Sequence, residues 1–181
     1  MTLQVLTPPA EEPVSLAETK AFLRVTHDDD DALIARLITA ARQRIEAELG
    51  LALVATEFTE TLDAWPLTRT GAAKVSRGPL LSVEEIRVDS DVLDAGRYAV
   101  RLATRPGLIA PDGAGLPNPQ TVHGGIEVDF TAGFGEAAED VPAPLAQALL
   151  VLVAHAYEHR EGEAPLALVE PWLRAFRRVR L

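Results

Sequence analysis

The sequence predicts an α+β fold in which a small antiparallel bundle of three to four helices carries an inserted small antiparallel β-sheet. Residues 31–49 place apolar side chains at three- and four-residue intervals, which is typical of an amphipathic helix. Residues 141–161 form a second long helical segment that is apolar on most of its circumference. Between them, residues 51–135 contain short alternating runs separated by glycine- and proline-rich turns. Helices that flank a group of strands are typical of an α+β domain.

The first helix is predicted from a capping box. Ser15 can accept a hydrogen bond from the backbone three residues later, where Glu18 stands, and this pattern marks a helix N-terminus. The helix should run to about residue 23 or 24 and bury Leu16, Ala17 or the stem of Lys20, Phe22 and Leu23 on one face. Residues 1–12, which include two adjacent prolines, are predicted as an extended arm.

Four consecutive aspartates, Asp28 to Asp31, separate the first helix from the second. A calcium loop would need alternating acidic ligands and a central glycine, and both are missing here. We therefore expect one aspartate to cap the second helix and the others to favour its positive end.

The second helix is predicted from Asp31 to Leu49, with Gly50 as its C-terminal stop. Its buried face is defined by seven apolar positions at helical spacing, namely Leu33, Ile34, Leu37, Ile38, Ala41, Ile45 and Leu49. Arg42 is expected to lie mostly off that face. This helix is the best packing partner for the late apolar helix.

Five strands are predicted in the central region, around residues 56–63, 83–88, 98–102, 107–109 and 126–130. The first alternates with a period of two over its whole length, as a half-buried strand should. Short strands at roughly regular spacing favour a small antiparallel sheet.

The late helix should be the core element of the fold. Pro142 fixes the backbone for a first helical turn, and no glycine or proline follows between Leu145 and Glu161. Gly162 is the predicted stop. Because nearly every side chain from Leu145 to Ala156 is apolar, the other elements must pack around this helix.

Composition excludes several classes of protein. The chain has 181 residues, 48% of them hydrophobic, and no cysteine, so disulfides, thiolate zinc sites and a cysteine nucleophile are excluded. No apolar run approaches the roughly 18 residues that span a bilayer, and we expect no membrane association and no signal peptide. The formal net charge of −10 argues against a protein that grips nucleic acid. We expect a soluble protein of a reducing compartment, or of a particle assembled in one.

The charge is unevenly distributed along the chain. Residues 172–181 contain four arginines and no acidic residue, so residues 1–171 carry a formal net charge of −14. An acidic body with a short basic tail indicates that the tail meets a partner, although such a tail can also be merely solvated.

The most enzyme-like motif is His155-Ala156-Tyr157-Glu158-His159, an H-x-x-E-H of the inverted zinc-peptidase type. Two histidines four apart on a helix share a face and could ligate zinc, with Glu158 as general base. A catalytic zinc needs a third protein ligand, and residues 160–181 offer only three glutamates. Histidine is also favourable at a helix C-terminus without any metal. A zinc-dependent hydrolase is therefore the less favoured alternative, and we expect no catalytic residue, no metal site and no cofactor.

Several local patterns follow one another in a fixed order over about 150 residues. They are PVSLAETKAFLRV (13–25), DALI (31–34), AAR (40–42), IE (45–46), LDAWP (62–66), RGPLLSV (77–83), VDFTAGFG (128–135), VPAPL (141–145) and AHAYEHRE (154–161). In this order they resemble the head–tail connector, or head-completion adaptor, family of tailed phages and phage-like gene transfer agents. Thr19 and Phe22 replace commoner residues of that pattern. His159 stands where asparagine is usual, which makes the zinc-like motif a coincidence.

The resemblance implies structural work and no enzymatic activity. Members of the family form a ring, typically of twelve copies, beneath the portal of a DNA-filled capsid. They extend the DNA channel and provide the docking surface for a stopper or tail-completion protein. The resemblance therefore implies a homo-oligomer in a particle neck, assembled in the bacterial cytoplasm, with the portal protein as a partner. DNA is expected to pass through the channel without specific binding.

On this interpretation the whole chain, 1–181, is a single connector domain. Its helical core comprises residues 14–50 and 141–162, its β insertion residues 51–135, and its C-terminal portal-docking tail residues 163–181. Aromatic residues and arginines are enriched at protein contacts. The predicted portal-binding residues are Trp172, Leu173 and Phe176 as apolar anchors, and Arg174, Arg177, Arg178 and Arg180 as charged contacts.

Overall fold

The computed structural model describes residues 1–102, 104, 106–113, 115–159 and 165–177. Within these residues the chain forms four α-helices: α1 (Leu16–Leu23), α2 (Asp31–Leu49), α3 (Ala143–Glu158) and α4 (Glu170–Leu173). It also forms eight strands: β1 (Thr2–Thr7), β2 (Thr56–Leu62), β3 (Ala73–Lys74), β4 (Leu80–Val88), β5 (Asp91–Val92), β6 (Tyr98–Arg101), β7 (Leu108–Pro111) and β8 (Ile126–Ala132). The predicted α+β class is confirmed.

The strands form two antiparallel sheets, whereas the sequence predicted one. The larger sheet has the order β1-β2-β8-β4-β5, and the smaller has the order β3-β7-β6. The second sheet arises because β6 and β7 pair with each other as a hairpin and β3 adds to β7, so none of the three joins the larger sheet.

The chain divides into two compact units. The β unit comprises Met1–Pro9 and Ala55–Phe134, and the helical unit comprises Ala10–Val54 and Gly135–Leu181. The N-terminal residues, predicted as an extended arm, are extended but pair with β2 as an edge strand. Each unit is therefore assembled from two separate segments of the chain.

The first helix begins and ends as the capping box predicts. The Ser15 side chain accepts a hydrogen bond from the backbone N–H of Glu18 at 3.1 Å, and Arg24 closes the helix in the left-handed conformation. The predicted buried face is only partly correct, because Leu16, Lys20 and Leu23 are half-buried, Phe22 is 43% exposed, and the fully buried residue is Thr19. Burial is tolerated there because the Thr19 hydroxyl donates to the carbonyl of Ser15 at 2.9 Å.

The second helix has the predicted bounds and the predicted stop. Gly50 adopts the left-handed conformation that favours glycine and closes the helix. Arg42, expected off the buried face, is only 8% exposed. The position before the helix is Asp30, which makes no side-chain capping hydrogen bond, so the predicted aspartate cap is wrong.

The late helix is the centre of the helical unit, because α3 packs against α1, α2 and α4. Six of its residues are buried, namely Leu145, Ala148, Leu149, Leu150, Leu152 and Val153. It ends at Glu158, three residues earlier than predicted, and Gly162 lies outside the described residues. His159 is its C-terminal cap residue, whose backbone N–H donates to the His155 carbonyl and whose ring Nδ1 lies 3.1 Å from the same oxygen. In the described part of the chain, no helix is long and apolar enough to cross a membrane.

The larger sheet of the β unit buries one face. Phe58 of β2 and Phe130 of β8 are register partners, and their rings stack with centroids 5.4 Å apart. Glu60 follows on the same buried face and is only 2% exposed. Its carboxylate accepts a hydrogen bond from the backbone N–H of Ser76 at 3.2 Å, and burial raises the pKa of this carboxyl.

Candidate functional site

The C-terminal segment, where the portal contacts were predicted, is folded through Arg177. A 3-10 turn at Leu166–Leu168 leads into α4, and a second 3-10 turn follows at Arg174–Phe176. Val169 and Leu173 are completely buried, and α4 packs against α3 within the helical unit. The segment is therefore anchored to its own core.

The predicted portal-binding residues divide into four groups, one of which is Arg177, exposed but paired within its own unit. Leu173 is a core residue of the helical unit. Arg174 is exposed, and Trp172 and Phe176 are half-buried. Arg178 and Arg180 lie outside the described residues.

Arg177 is held by two carboxylates of its own unit. Its guanidinium lies 2.8 Å from Glu48 of α2 and 2.8 Å from Glu170 at the start of α4. Both contacts are partly exposed, so each contributes little to stability. They nevertheless orient the last described residues along α2, with Arg174 left on the surface.

The aspartate run forms a set of contacts with α1 and α3. Lys20 lies 2.6 Å from both Asp28 and Asp31, and these hydrogen bonds raise the pKa of Lys20 and lower that of Asp28. The Tyr157 hydroxyl donates to Asp30 at 2.5 Å. The aspartates thus join three helices of the helical unit.

The H-x-x-E-H motif does not form a metal centre with other side chains in the described part of the chain. The rings of His155 and His159 stack with centroids 4.3 Å apart, and Glu158 is exposed. No group of three or more histidine, aspartate or glutamate side chains that could hold a metal ion occurs among the described residues. The structure thus provides no third ligand there for the zinc hydrolase considered above.

The solvent side of the larger sheet carries a cluster of charged side chains that no sequence motif marks. Five carboxylates from three adjacent strands share this side, together with one arginine. We call this surface the acidic face; it consists of Glu57 of β2, Glu84, Glu85 and Arg87 of β4, and Glu127 and Asp129 of β8. The alternation of β2 already placed Glu57 opposite the buried Phe58. The register of β4 and β8 was needed to bring the other carboxylates beside it.

Hydrogen bonds and ion pairs hold the carboxylates of the acidic face in place. The Thr59 hydroxyl donates to Asp129 at 2.5 Å, and the Thr131 hydroxyl donates to Glu84 at 2.8 Å. Arg87 lies 3.3 Å from Asp129, 3.4 Å from Glu127 and in contact with Glu85. One guanidinium cannot neutralise five carboxylates, so the surface is ordered and strongly negative.

The chain is similar to a family of head-tail connector proteins and to chains in solved structures of particle necks. Residues 13–89 match the family described as phage gp6-like head-tail connector protein. Among curated proteins, no sequence match was found.

Three solved structures contain chains similar to this one over its entire length. The neck of an empty gene transfer agent particle computed with C6 symmetry contains a chain with 30% identity and a TM-score of 0.84. The virion of a native gene transfer agent particle contains one with 29% identity and a TM-score of 0.82. The neck of a native particle computed with C12 symmetry gives 29% identity and a TM-score of 0.79. In each case the alignment covers 100% of this chain and 97% of the other.

Proposed function

This chain belongs to the phage gp6-like head-tail connector family, and we propose that it works as the structural adaptor that joins head to tail in a phage or phage-like particle. The single observation that carries this proposal is the similarity over the whole chain to neck proteins of a gene transfer agent particle. The chain shares with them both units, so the whole architecture is available for the same work.

The adaptor forms a closed ring of twelve copies beneath the portal. Support for a ring comes from the C6 and C12 symmetry of the similar particle necks. The ring assembles in the bacterial cytoplasm, with the portal on one side and a stopper or tail-completion protein on the other. The four helices act as an antiparallel bundle that mounts the C-terminal segment.

The acidic face lines the DNA channel that the ring extends. Five carboxylates against one guanidinium repel the phosphate backbone, and that guanidinium, Arg87, is held by carboxylates of the face itself. DNA therefore slides past without specific binding. The hydroxyl and arginine contacts keep the carboxylates from reaching into the channel.

The C-terminal segment, residues 163–181, docks onto the portal. Arg174 is exposed and available for a partner, and Trp172 and Phe176 offer part of their aromatic surface beside it. Arg177 forms partly exposed ion pairs with Glu48 and Glu170. It therefore holds the segment in place as well as contributing a charge for portal contact. Leu173 contributes indirectly, by fixing α4 to the helical unit.

The test is reconstitution of a ring on the portal. Purified protein is mixed with portal, and the complex is examined by size-exclusion chromatography and cryo-EM. We expect a ring with the symmetry of the portal, and its absence would refute the adaptor function.

Portal docking is tested with matched charge variants. Replacing Arg174, Arg178 and Arg180 by serine should abolish co-purification with portal and leave thermal unfolding unchanged. The control replaces three exposed cations elsewhere, Arg36, Arg69 and Lys74, by serine. If both triple variants bind portal equally well, the C-terminal segment is not the docking element.

A further inference from the structure

The first strand leaves one edge of the larger sheet open. Among the described residues β1 has a hydrogen-bonded neighbour on one side only, which is β2. Its register with β2 is regular from Thr2 to Val5 and shifts between Val5 and Thr7. Alternate residues of this regular segment therefore direct their N–H and C=O groups away from the sheet.

Charged side chains do not protect this edge, although its register shift and the two prolines that follow limit the regular part to Thr2–Val5. Residues 1–10 contain no charged side chain, although charged residues make up 24% of the chain. Val5 and Leu6 are each 56% exposed. Natural edge strands are usually protected by charges, prolines or a covering element, so an uncharged apolar edge is suited to pairing with another chain.

The β unit has a second open edge of matching length. β6 pairs only with β7 among the described residues, and all four of its residues, Tyr98 to Arg101, stay in regular register. β6 contains Arg101 and no acidic residue, Arg97 directly precedes it, and Asp94 lies four residues before Tyr98. Leu102, which follows β6, is 48% exposed.

The outer edge of β4 differs from the open edges of β1 and β6. Its register with β8 shifts twice, between Leu80 and Ser82 and between Val83 and Glu85, and β5 covers its end. Bulges interrupt pairing, and the carboxylates of β4 add protection. The other two edge strands, β3 and β5, are only two residues long, so β1 and β6 are the edges that offer four residues in regular register.

We propose that in the ring β1 of each copy adds to β6 of the next copy. The inference rests on the proposed function, because a cyclic ring of more than two copies needs two different surfaces that meet head to tail. Each copy carries a net charge of −10, so copies repel one another wherever acidic surfaces approach. Because β1 carries no charged side chain, it adds no like-charge repulsion to such a contact, and its four regular residues match the four of β6.

Cross-linking tests the contact, because the chain has no cysteine of its own. Gln4→Cys is placed in β1 and Ala99→Cys in β6; both side chains are exposed. The two single variants are mixed, assembled on portal and treated with a short thiol-to-thiol cross-linker. Only a contact between different copies can then join position 4 to position 99. The control mixture pairs Gln4→Cys with Glu84→Cys on the β4 edge.

We expect a cross-linked dimer from the 4–99 mixture at a yield at least about tenfold above that of the 4–84 mixture, since adjacent strands lie only about 5 Å apart. A dimer from the 4–84 mixture alone, a cross-link from position 4 to portal, or a ring by cryo-EM without any 4–99 product would overturn the pairing. A ring without the cross-link leaves the adaptor function standing, whereas absence of a ring refutes both.

A second measurement uses charge instead of cross-linking. Val5→Asp should raise the protein concentration needed for ring formation by about tenfold, because a charged carboxylate at the pairing edge would have to be desolvated in the contact. The control is Leu67→Asp in the same unit, where the side chain is similarly exposed at 53%. Equal effects of the two substitutions would contradict the proposed interface.

Discussion

Glu12 and Arg42 form an ion pair across thirty residues, with the carboxylate 2.7 Å from the guanidinium Nε. Arg42 is buried, and Glu46 one helical turn later contacts it at 3.0 Å. Burial alone would lower the pKa of Arg42, but the two carboxylates outweigh it and raise the pKa. The pair fastens the segment before α1 to the middle of α2.

Glu12→Ala should lower the free energy of unfolding by about 2 kcal/mol, because it leaves a buried guanidinium with one carboxylate instead of two. Chemical denaturation measures the loss. Glu48→Ala is the control, since it removes an exposed partner of Arg177 and should cost less than about 1 kcal/mol. Equal losses would show that the Glu12 contact is no stronger than a surface ion pair.

Leu173→Ala should destabilise the protein by about 2–5 kcal/mol, because Leu173 is completely buried. Arg174→Ala, one residue later on the surface, should change the free energy of unfolding by less than about 0.5 kcal/mol. Thermal and denaturant unfolding of the two variants measure these changes in the free energy of unfolding. If Leu173→Ala changes the free energy of unfolding only slightly but abolishes portal binding, Leu173 belongs to the docking surface.

Glu60→Gln should raise the melting temperature at pH 7 by a few degrees. The pKa of Glu60 is raised in the folded state, so its ionised form opposes folding at neutral pH. The gain over wild type should shrink as the pH falls through that raised pKa and should vanish below the pKa of an unfolded glutamate. Glu57→Gln, on the exposed side of the same strand, is the control because it removes a carboxylate that is not buried.

Rings that carry Glu57→Lys and Glu127→Lys on the acidic face should retain DNA at physiological salt, and binding should weaken steeply as salt rises. Wild-type rings should not retain it. Glu136→Lys with Glu139→Lys changes the net charge equally in the helical unit and is the control. Gel-shift and salt-titration experiments provide the comparison. DNA binding by both variants would attribute the effect to net charge and not to the acidic face.

Purified protein should contain far less than one zinc per chain, and His155→Ala should leave ring formation unchanged. Two histidines without a third protein ligand make a poor structural or catalytic zinc site. Elemental analysis of metal-supplemented protein measures the content. Stoichiometric zinc that is lost in His155→Ala would revive the hydrolase alternative.

The long helices were predictable because each carries its signals locally. The spacing of apolar residues and Gly50 fixed both ends of α2, and Ser15 fixed the start of α1. Burial of Arg42 was not predictable, since it depends on Glu12 thirty residues earlier. β3 and β5 are two residues long and exist only through their pairing partners, so no local pattern marks them.

The candidate surfaces were only partly predictable. The basic C-terminal segment stood out by charge, but its apolar residues were assigned to a partner. Val169, Trp172, Leu173 and Phe176 follow the three- and four-residue spacing of a helix face, and that spacing already indicated packing onto the chain's own core. The acidic face depends on the register of three strands that are distant in sequence, which alternation within one strand does not determine.

Because each unit combines two separate chain segments, the two units acquire their last residues at different points of translation. The β unit has all its residues once position 134 has left the ribosome, whereas the helical unit must wait for α3 and α4. Until then the apolar side of α2 has no α3 to cover it. A nascent chain thus completes its sheets first and its helical core only near the end of translation, so prematurely terminated chains lack the core on which the C-terminal segment is mounted.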